Sequence, residues 1–225
     1  MTVLGIDTST AAGGVALLAG DQVLGRLDDS HALLPSRRLL PLILELLERC
    51  QLHLQDLTGI AVAAGPGSFT GLRIGLATAN GLGFALACPV LGVSSLHAFA
   101  EEAAVAASAC GGIVSLLDAR RGQVFAARFR AQAGGAVRES EDEIVAVDEA
   151  CGGLVRSGDV VLGDGAMRYQ GDLGLPPGAH VLSTIASAAA GVARLGRDAL
   201  LRGTPLSPAL PRYLRRLDVE LNPGV

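Results

Sequence analysis

Apolar and polar positions alternate in short blocks along this chain, and one arrangement of blocks occurs twice. TVLGIDTSTAAGGVALLAGDQVLGRL holds an apolar run ending in Asp7, a turn of small residues, the run VALLA, a second turn and QVLGRL. Apolar runs of that length, bounded by Gly, Ser, Asp and Thr, predict strands of a meander. Half the chain later, GIVSLLDARRGQVFAARFRAQAGGAVRES repeats the order: a strand ending in Asp118, a turn, a second strand, a Gly-Gly turn and a third strand. Two such units predict an internal duplication into related lobes. The boundary falls near residue 100, giving lobes 1–100 and 101–225, with the Pro-interrupted end TPLSPALPRYLRR expected to pack back on the first lobe as a surface arm.

Between the meanders the period changes. SRRLLPLILELLERC predicts a helix that Pro41 kinks or delays. GIAVAAGPG predicts a strand feeding a Gly-Pro turn, followed by a helix over Leu72–Leu86, the strand CPVLGV, and the helix SSLHAFAEEAAVAA capped by Ser94 or Ser95. The second half adds a helix near Val147–Val155, the strand VVLGDG, and an Ala-rich helix from about Thr184 to Leu201. Strands alternating with helices, plus meanders, predict an α/β fold with mixed sheets and flanking helices.

Two helices carry unusual faces. Gly71, Gly75, Ala79 and Gly83 recur every fourth residue and line one ridge almost bare of side chains. A glycine inside a helix costs about 1 kcal/mol against alanine, so close approach of another backbone has to offset it. That backbone belongs either to the chain's own sheet or to a second protein. In the preceding helix, Leu39, Leu40, Leu42, Ile43, Leu44, Leu46 and Leu47 cover nearly the whole circumference, leaving Glu45 and Glu48 as a polar strip. A helix covering a sheet needs one apolar face, so the excess leucines favour a partner. The expected interface is Leu39, Leu40, Ile43, Leu46, Leu47, Gly71, Gly75, Ala79 and Gly83, and Ala79→Arg is expected to abolish partner binding with the fold intact.

Composition narrows the chemistry. Half of the 225 residues are hydrophobic but only 3% are aromatic, so the core is aliphatic. All 18 basic residues are arginine, which removes Walker, Schiff-base and catalytic lysines at once. GPGSFTGLRIG fits neither the Walker nor the G-x-G-x-x-G spacing, so it fails as a nucleotide loop. The net charge of −4 argues against a free-standing nucleic-acid binder. Cys50, Cys88, Cys110 and Cys151 form no C-x-x-C pair and read as small buried residues of a reducing compartment. His31, His53, His97 and His180 have no metal-ligand spacing. With no signal-peptide pattern and no membrane-length apolar run, the expectation is a soluble cytoplasmic protein. Ser68 and Thr70 read as caps. Arg73, a cation in a helix's first turn, opposes the macrodipole by about 0.3–1 kcal/mol. It reads either as a contact to a partner carboxylate, nucleotide phosphate or tRNA backbone, or as half of an internal ion pair.

LGIDTST, AVAAGPGSFTGLRIGLATANGLG, PVLGVSSLHA, LLDARRGQVF and PRYLRR together resemble the TsaB family, from Thr2 to about Arg216. The resemblance implies an actin/hexokinase-like (ribonuclease H-like) fold of two related lobes. It further implies a non-catalytic dimerisation subunit whose two helices bundle with those of the TsaD transferase, or with a second copy of this chain. TsaD transfers threonylcarbamoyl to N6 of adenosine 37 in tRNAs reading ANN codons, and the ATPase TsaE joins the pair. No cofactor is implied for this chain alone; ATP or ADP enters at the level of the complex through TsaE or TsaD, tRNA is met only indirectly, and no membrane is involved. Enzymes of this fold clamp ATP between two Asp–Gly turns. Here these are DTST (Asp7, Thr8, Ser9) and the turn after Asp118, where Ala119 and Arg120 spoil close backbone approach, so both read as vestigial turns capped by their own aspartates. GDGA, Gly163 to Ala166, reads as a plain turn. The competing reading is an ATP-dependent small-molecule kinase or hydrolase of the same fold.

Overall fold

The computed structural model describes residues 1–29, 36–106, 112–203 and 209–214. His31, Cys110, Arg215 and Arg216 lie outside them. The apolar run after Met1 forms β1 (Thr2–Asp7), and β2 (Gly13–Ala19) and β3 (Gln22–Asp29) complete the first meander. Helix α1 (Ser36–Arg49), β4 (Gly59–Gly65), α2 (Phe69–Leu86), β5 (Val90–Ser94) and α3 (Ser95–Ala106) follow. The second half runs β6 (Gly112–Arg120), β7 (Gln123–Gln132), β8 (Gly135–Arg138), β9 (Glu143–Ala146), α4 (Val147–Gly153), β10 (Val160–Leu162), α5 (Asp164–Arg168), β11 (His180–Leu182) and α6 (Ala189–Leu201).

The first sheet has strand order β3-β2-β1-β4-β5, and the second β8-β7-β6-β10-β11. Each has an antiparallel meander on one side of its central strand and parallel partners on the other. The duplication read from two blocks is therefore present in the topology, with β9 added beside β7 as the one departure among the described strands.

The last helix of each repeat packs on the sheet of the other repeat. α6 lies across β1, β4 and β2, while α3 lies chiefly across β6, β7 and β8, and the two helices pack on each other between the sheets. The layers run α1/α2, first sheet, α6/α3, second sheet, α4/α5. Alternation along the strands supplies the cores. Leu4, Ile6, Val15 and Leu17 face α1 and α2, whereas Val3 and Ala61 face the central layer shared with Phe99, Ile113, Leu117 and Phe129. The sequence boundary near residue 100 falls inside α3.

Local chemistry shifts several helix ends from their expected places. The Ser94 hydroxyl accepts the His97 amide at 3.3 Å, so Ser94, not Ser95, caps α3. The helix expected from Thr184 starts five residues later, because the Ala188 amide is held by a carboxylate of the other lobe. Pro41 lies inside α1. Cys50 and Cys88 are free and half-buried rather than buried as expected. In the second lobe the guanidinium of buried Arg128 bonds Asp159, the Leu154 carbonyl at 2.9 Å and Glu139 at 3.2 Å, joining β7 to the loop before β10. Among the described residues, no helix is long and apolar enough to cross a membrane.

The central helix contact is tight enough to test. A Cβ on Gly191 of α6 would collide with the Ala98 carbonyl of α3. Gly191→Ala is expected to destabilise the chain by about 1–3 kcal/mol through overpacking, despite alanine's better helix propensity. Urea denaturation reads this directly; an unchanged or raised midpoint would contradict the contact.

Candidate functional site

The two aspartate turns end the central strands of the two sheets and carry the same local bond. Asp7 Oδ1 accepts the Ser9 amide at 2.9 Å and the Ser9 hydroxyl at 2.6 Å. Asp118 Oδ1 accepts the Arg120 amide at 2.8 Å. From there the turns diverge. The other oxygen of Asp7, which is fully buried, accepts the Ala188 amide at 2.7 Å and so caps α6 at its N-terminal end. Burial pushes the Asp7 carboxyl above its ordinary value, opposed by the Ser9 hydroxyl, the Ala188 and Ser9 amides and the charge of Arg26. Asp118 instead meets the Tyr169 hydroxyl at 3.2 Å and the guanidinium groups of Arg120 and Arg168 at 3.5 and 3.4 Å. Arg120 and Arg121 have left-handed φ angles of 67° and 56°, a conformation costing about 1–2 kcal/mol for each side-chain-bearing residue. Two side-chain-bearing residues therefore stand in left-handed backbone on this turn.

Asp164 is a residue that sequence reasoning missed. GDGA was read as a plain turn, but it opens α5, and Asp164 Oδ1 accepts the Asp118 amide at 3.0 Å. Its carboxyl is raised by burial first, and also by the charges of Asp118 and Asp7. All three carboxylates are turned to amides, hydroxyls or arginines of this chain. Among the described residues, no group of three or more His, Cys, Asp or Glu side chains is placed to hold a metal.

The glycine stripe faces inward, and this corrects the expected interface. A Cβ on Gly71 would strike the Thr8 carbonyl, one on Gly75 the Thr8 hydroxyl, and one on Gly83 the Val90 side chain. Ala79 is fully buried. The backbone that approaches α2 is the Asp7–Ser9 turn and β5 of the same chain, so the stripe serves internal packing. Leu39, Ile43, Leu46 and Leu47 are also buried, against Leu4, Ile6, Val15 and Leu17. Of the expected interface residues only Leu40 stays at the surface. Arginine at Ala79 would break the fold rather than spare it.

What faces solvent is the opposite side of the same two helices. Leu40, Leu44 and Phe84 are 42%, 45% and 92% exposed. Ala77 and Gly81 are exposed between Arg73 and Phe84 on one row of α2, and a Cβ on Gly81 would meet nothing within 4 Å. The signal was present in the sequence: the row 73-77-81-84 is the complement of the buried row 71-75-79-83.

Ser68 caps α2, its hydroxyl accepting the Gly71 amide at 3.3 Å, and Thr70 is exposed. Arg73 forms no ion pair among the described residues. Its guanidinium lies 3.9 Å from the Phe69 ring centroid, and its Nε donates to the Tyr213 hydroxyl at 3.2 Å. The segment 209–214 is held over the β4–α2 junction, with Asn80 exchanging two hydrogen bonds with Ala209 (3.0 and 3.1 Å) and the Arg212 amide donating to the Ala64 carbonyl at 2.7 Å.

Residues 34–162 match the family model described as TsaD: tRNA N6-adenosine threonylcarbamoyltransferase. The chain is 40% identical over 135 residues to the tRNA threonylcarbamoyladenosine biosynthesis protein TsaB of Bacillus subtilis, covering 58% of this chain and 56% of that one. With the TsaB protein of Escherichia coli it shares 34% over 148 residues, covering 64% and 62%. The matched stretches thus span less than two thirds of those relatives' own length. The solved structure of YeaZ from Pseudomonas aeruginosa superposes with a TM-score of 0.80 at 30% identity, covering 95% of this chain and 99% of that one. The component A of (R)-2-hydroxyglutaryl-CoA dehydratase from Acidaminococcus fermentans shares the fold at a TM-score of 0.56 and 11% identity.

The buried aspartate gives a pH signature. A carboxyl whose folded pKa lies above its unfolded value binds more protons folded than unfolded. The Asp7 contribution is therefore fully present below its ordinary value of 3.8 and is lost as pH rises through the higher folded value. Asp7→Asn removes this component, so the variant is expected to gain on the wild type as pH climbs from about 3.5 to 7. Denaturant midpoints across that range test it, and a gap that closes or reverses in the other sense would contradict the burial argument.

Proposed function

The chain belongs to the TsaB family, and on that premise we propose that it is the non-catalytic subunit organising a TsaD-type transferase for N6-threonylcarbamoylation of adenosine 37 in tRNAs reading ANN codons, in the cytoplasm. The observation that carries the reading is the outward side of α1 and α2, where Leu40 and Leu44 of α1 and Ala77, Gly81 and Phe84 of α2 stand exposed. A shallow strip of small residues flanked by large apolar ones lets a partner helix approach closely, and burying the three large side chains contributes about 25 cal/mol per Å² of apolar surface removed from water.

The partner is the TsaD-type paralogue, with a second copy of this chain competing for the same face when the paralogue is absent, and a TsaE-type ATPase joining the assembled pair. Residues 1–100 carry the partner helices, and α6 and the 209–214 segment of the second half pack back on that lobe; the turn with Ser68, Thr70 and Arg73 flanks the face. Nucleotide enters through TsaD or TsaE. The engagement of Asp7 and Asp118 within the chain supports a role without chemistry of its own, against a kinase or hydrolase of the same fold.

Light scattering after size exclusion, on this chain mixed with the TsaD-type protein of the same organism, is expected to give a stoichiometric heterocomplex at micromolar concentration. Gly81→Arg is expected to abolish it while leaving stability equal or higher, since the site is open and glycine costs a helix about 1 kcal/mol. Phe84→Asp is expected to do the same. A complex unaffected by both, or no complex with the wild type, would overturn the reading. Mg-ATP titrated calorimetrically into the isolated chain is expected to give no binding heat at millimolar nucleotide; tight binding would favour the kinase or hydrolase.

A further inference from the structure

We propose that a cleft at the end of the lobe seam binds a small aliphatic monocarboxylate on Arg194. Among the described residues five arginines are withdrawn from solvent: Arg26, Arg128, Arg138, Arg194 and Arg197. Four of them each donate to a carboxylate and to a backbone carbonyl. Arg194 differs. Its guanidinium has no hydrogen-bond partner among the described residues, and its Nη1 is buried with Glu102 Oε2 4.0 Å away. That carboxylate is already engaged, Oε1 accepting the Gly191 amide and Oε2 meeting Arg26 at 3.4 Å. A guanidinium only 16% exposed and without acceptors is costly to bury, so an acceptor brought from outside stabilises it.

Arg194 lines a cleft of about 710 Å³ walled by Ala104 and Val105 of α3 and by Ala131 and Ala133 at the β7–β8 hairpin. The cleft lies at the end of the seam away from the aspartate turns. Asp21 lines it, and the neighbouring Gly20 amide bonds the Met1 carbonyl ahead of β1. The hairpin likewise lies beyond Gly112 at the start of β6, whereas Asp7 and Asp118 stand toward the other ends of those strands. The fork of a guanidinium matches the two oxygens of a carboxylate. Arg197 does not compete for it, being held by Asp21, Asp198 and the Gly20 carbonyl. One cation without a direct partner, beside Glu102, suits a single negative charge; a phosphate dianion would meet that carboxylate with too little to offset it. Walls of alanine and valine favour an aliphatic body, and no aromatic ring among the described residues lines the cleft for a base to stack on. The site shares no residue with the outer side of α1 and α2, so it goes beyond the function proposed above and is tested apart from it.

The test is a titration of the isotope-labelled full chain with hexanoate, followed by NMR. Saturable shifts are expected at the amides of Ala104, Val105, Ala131 and Ala133 and at the Arg194 Nε–H, with a dissociation constant of about 1 mM. Arg194→Lys keeps the charge but loses the fork, and is expected to weaken binding about fivefold or more. Val105 is exposed on α3, so Val105→Asp keeps the fold while setting a like charge on the wall. It is expected to weaken binding about as much, and it reads the site independently of any disturbance of the α3–α6 seam by Arg194→Lys. Hexanamide has the same body without the charge, and inorganic phosphate the charge without the body. Both are expected to leave these amides unshifted at concentrations where hexanoate saturates them. The proposal is overturned if hexanoate gives no saturable shift, if the shifts fall outside the cleft, if either folded variant binds as the wild type does, or if hexanamide or phosphate binds as tightly as hexanoate.

Discussion

The bond from the Asp7 carboxylate to the Ala188 amide joins the first strand of one repeat to the last helix of the other. Hydrogen bonds to charged acceptors are worth about 1.5–3 kcal/mol each, and the three that Asp7 accepts offset part of the cost of burying its charge. Glu102 of α3 adds to the same seam, accepting the Gly191 amide at 2.9 Å and meeting Arg26 at 3.4 Å. Arg26 in turn donates to the Ser187 carbonyl at 2.7 Å. α6 is thereby fixed on the first sheet, α3 has a surface to pack against, and the exchanged helices hold the lobes as one body.

The same residue explains why a glycine-rich strand–turn–helix need not be a phosphate site. In the first repeat the Asp7–Ser9 turn occupies the space beside α2 that bare glycine backbone leaves open. In the second, arginines occupy the turn and neutralise Asp118. Both aspartates are engaged from within the chain, by different means. The outer side of α1 and α2 keeps Leu40, Leu44 and Phe84 exposed.

The fold was largely legible in sequence, because the duplicated strand–Asp–turn–strand blocks and the period change to helices are local signals. The exchange of α3 and α6 was not, since which sheet a helix covers depends on contacts between distant segments such as Gly191 with Ala98. The faces of α1 and α2 that the sequence reading assigned to a partner are packed within the chain, apart from Leu40. Periodicity shows that Gly71, Gly75, Ala79 and Gly83 form a row, while only the placement of Thr8 and Val90 tells which neighbour fills it. Leucines all round α1 divide into Leu39, Ile43, Leu46 and Leu47 against the sheet and Leu40 and Leu44 outside, a split that composition alone hides. Asp164 was illegible because its role is defined by an amide 46 residues away.

The central claim is that Asp7 ties the two repeats together while, in the proposed function, the outer face of α1 and α2 meets the partner. Hydrogen exchange followed by mass spectrometry tests both halves in one experiment, on the chain alone, with Mg-ATP, and with the TsaD-type protein. The account predicts slowed exchange within α1 and the C-terminal half of α2 on adding the protein, and no change at the turns after Asp7 and Asp118 on adding nucleotide. Slowed exchange at those turns with Mg-ATP alone, and none in the helices with the protein, would contradict it.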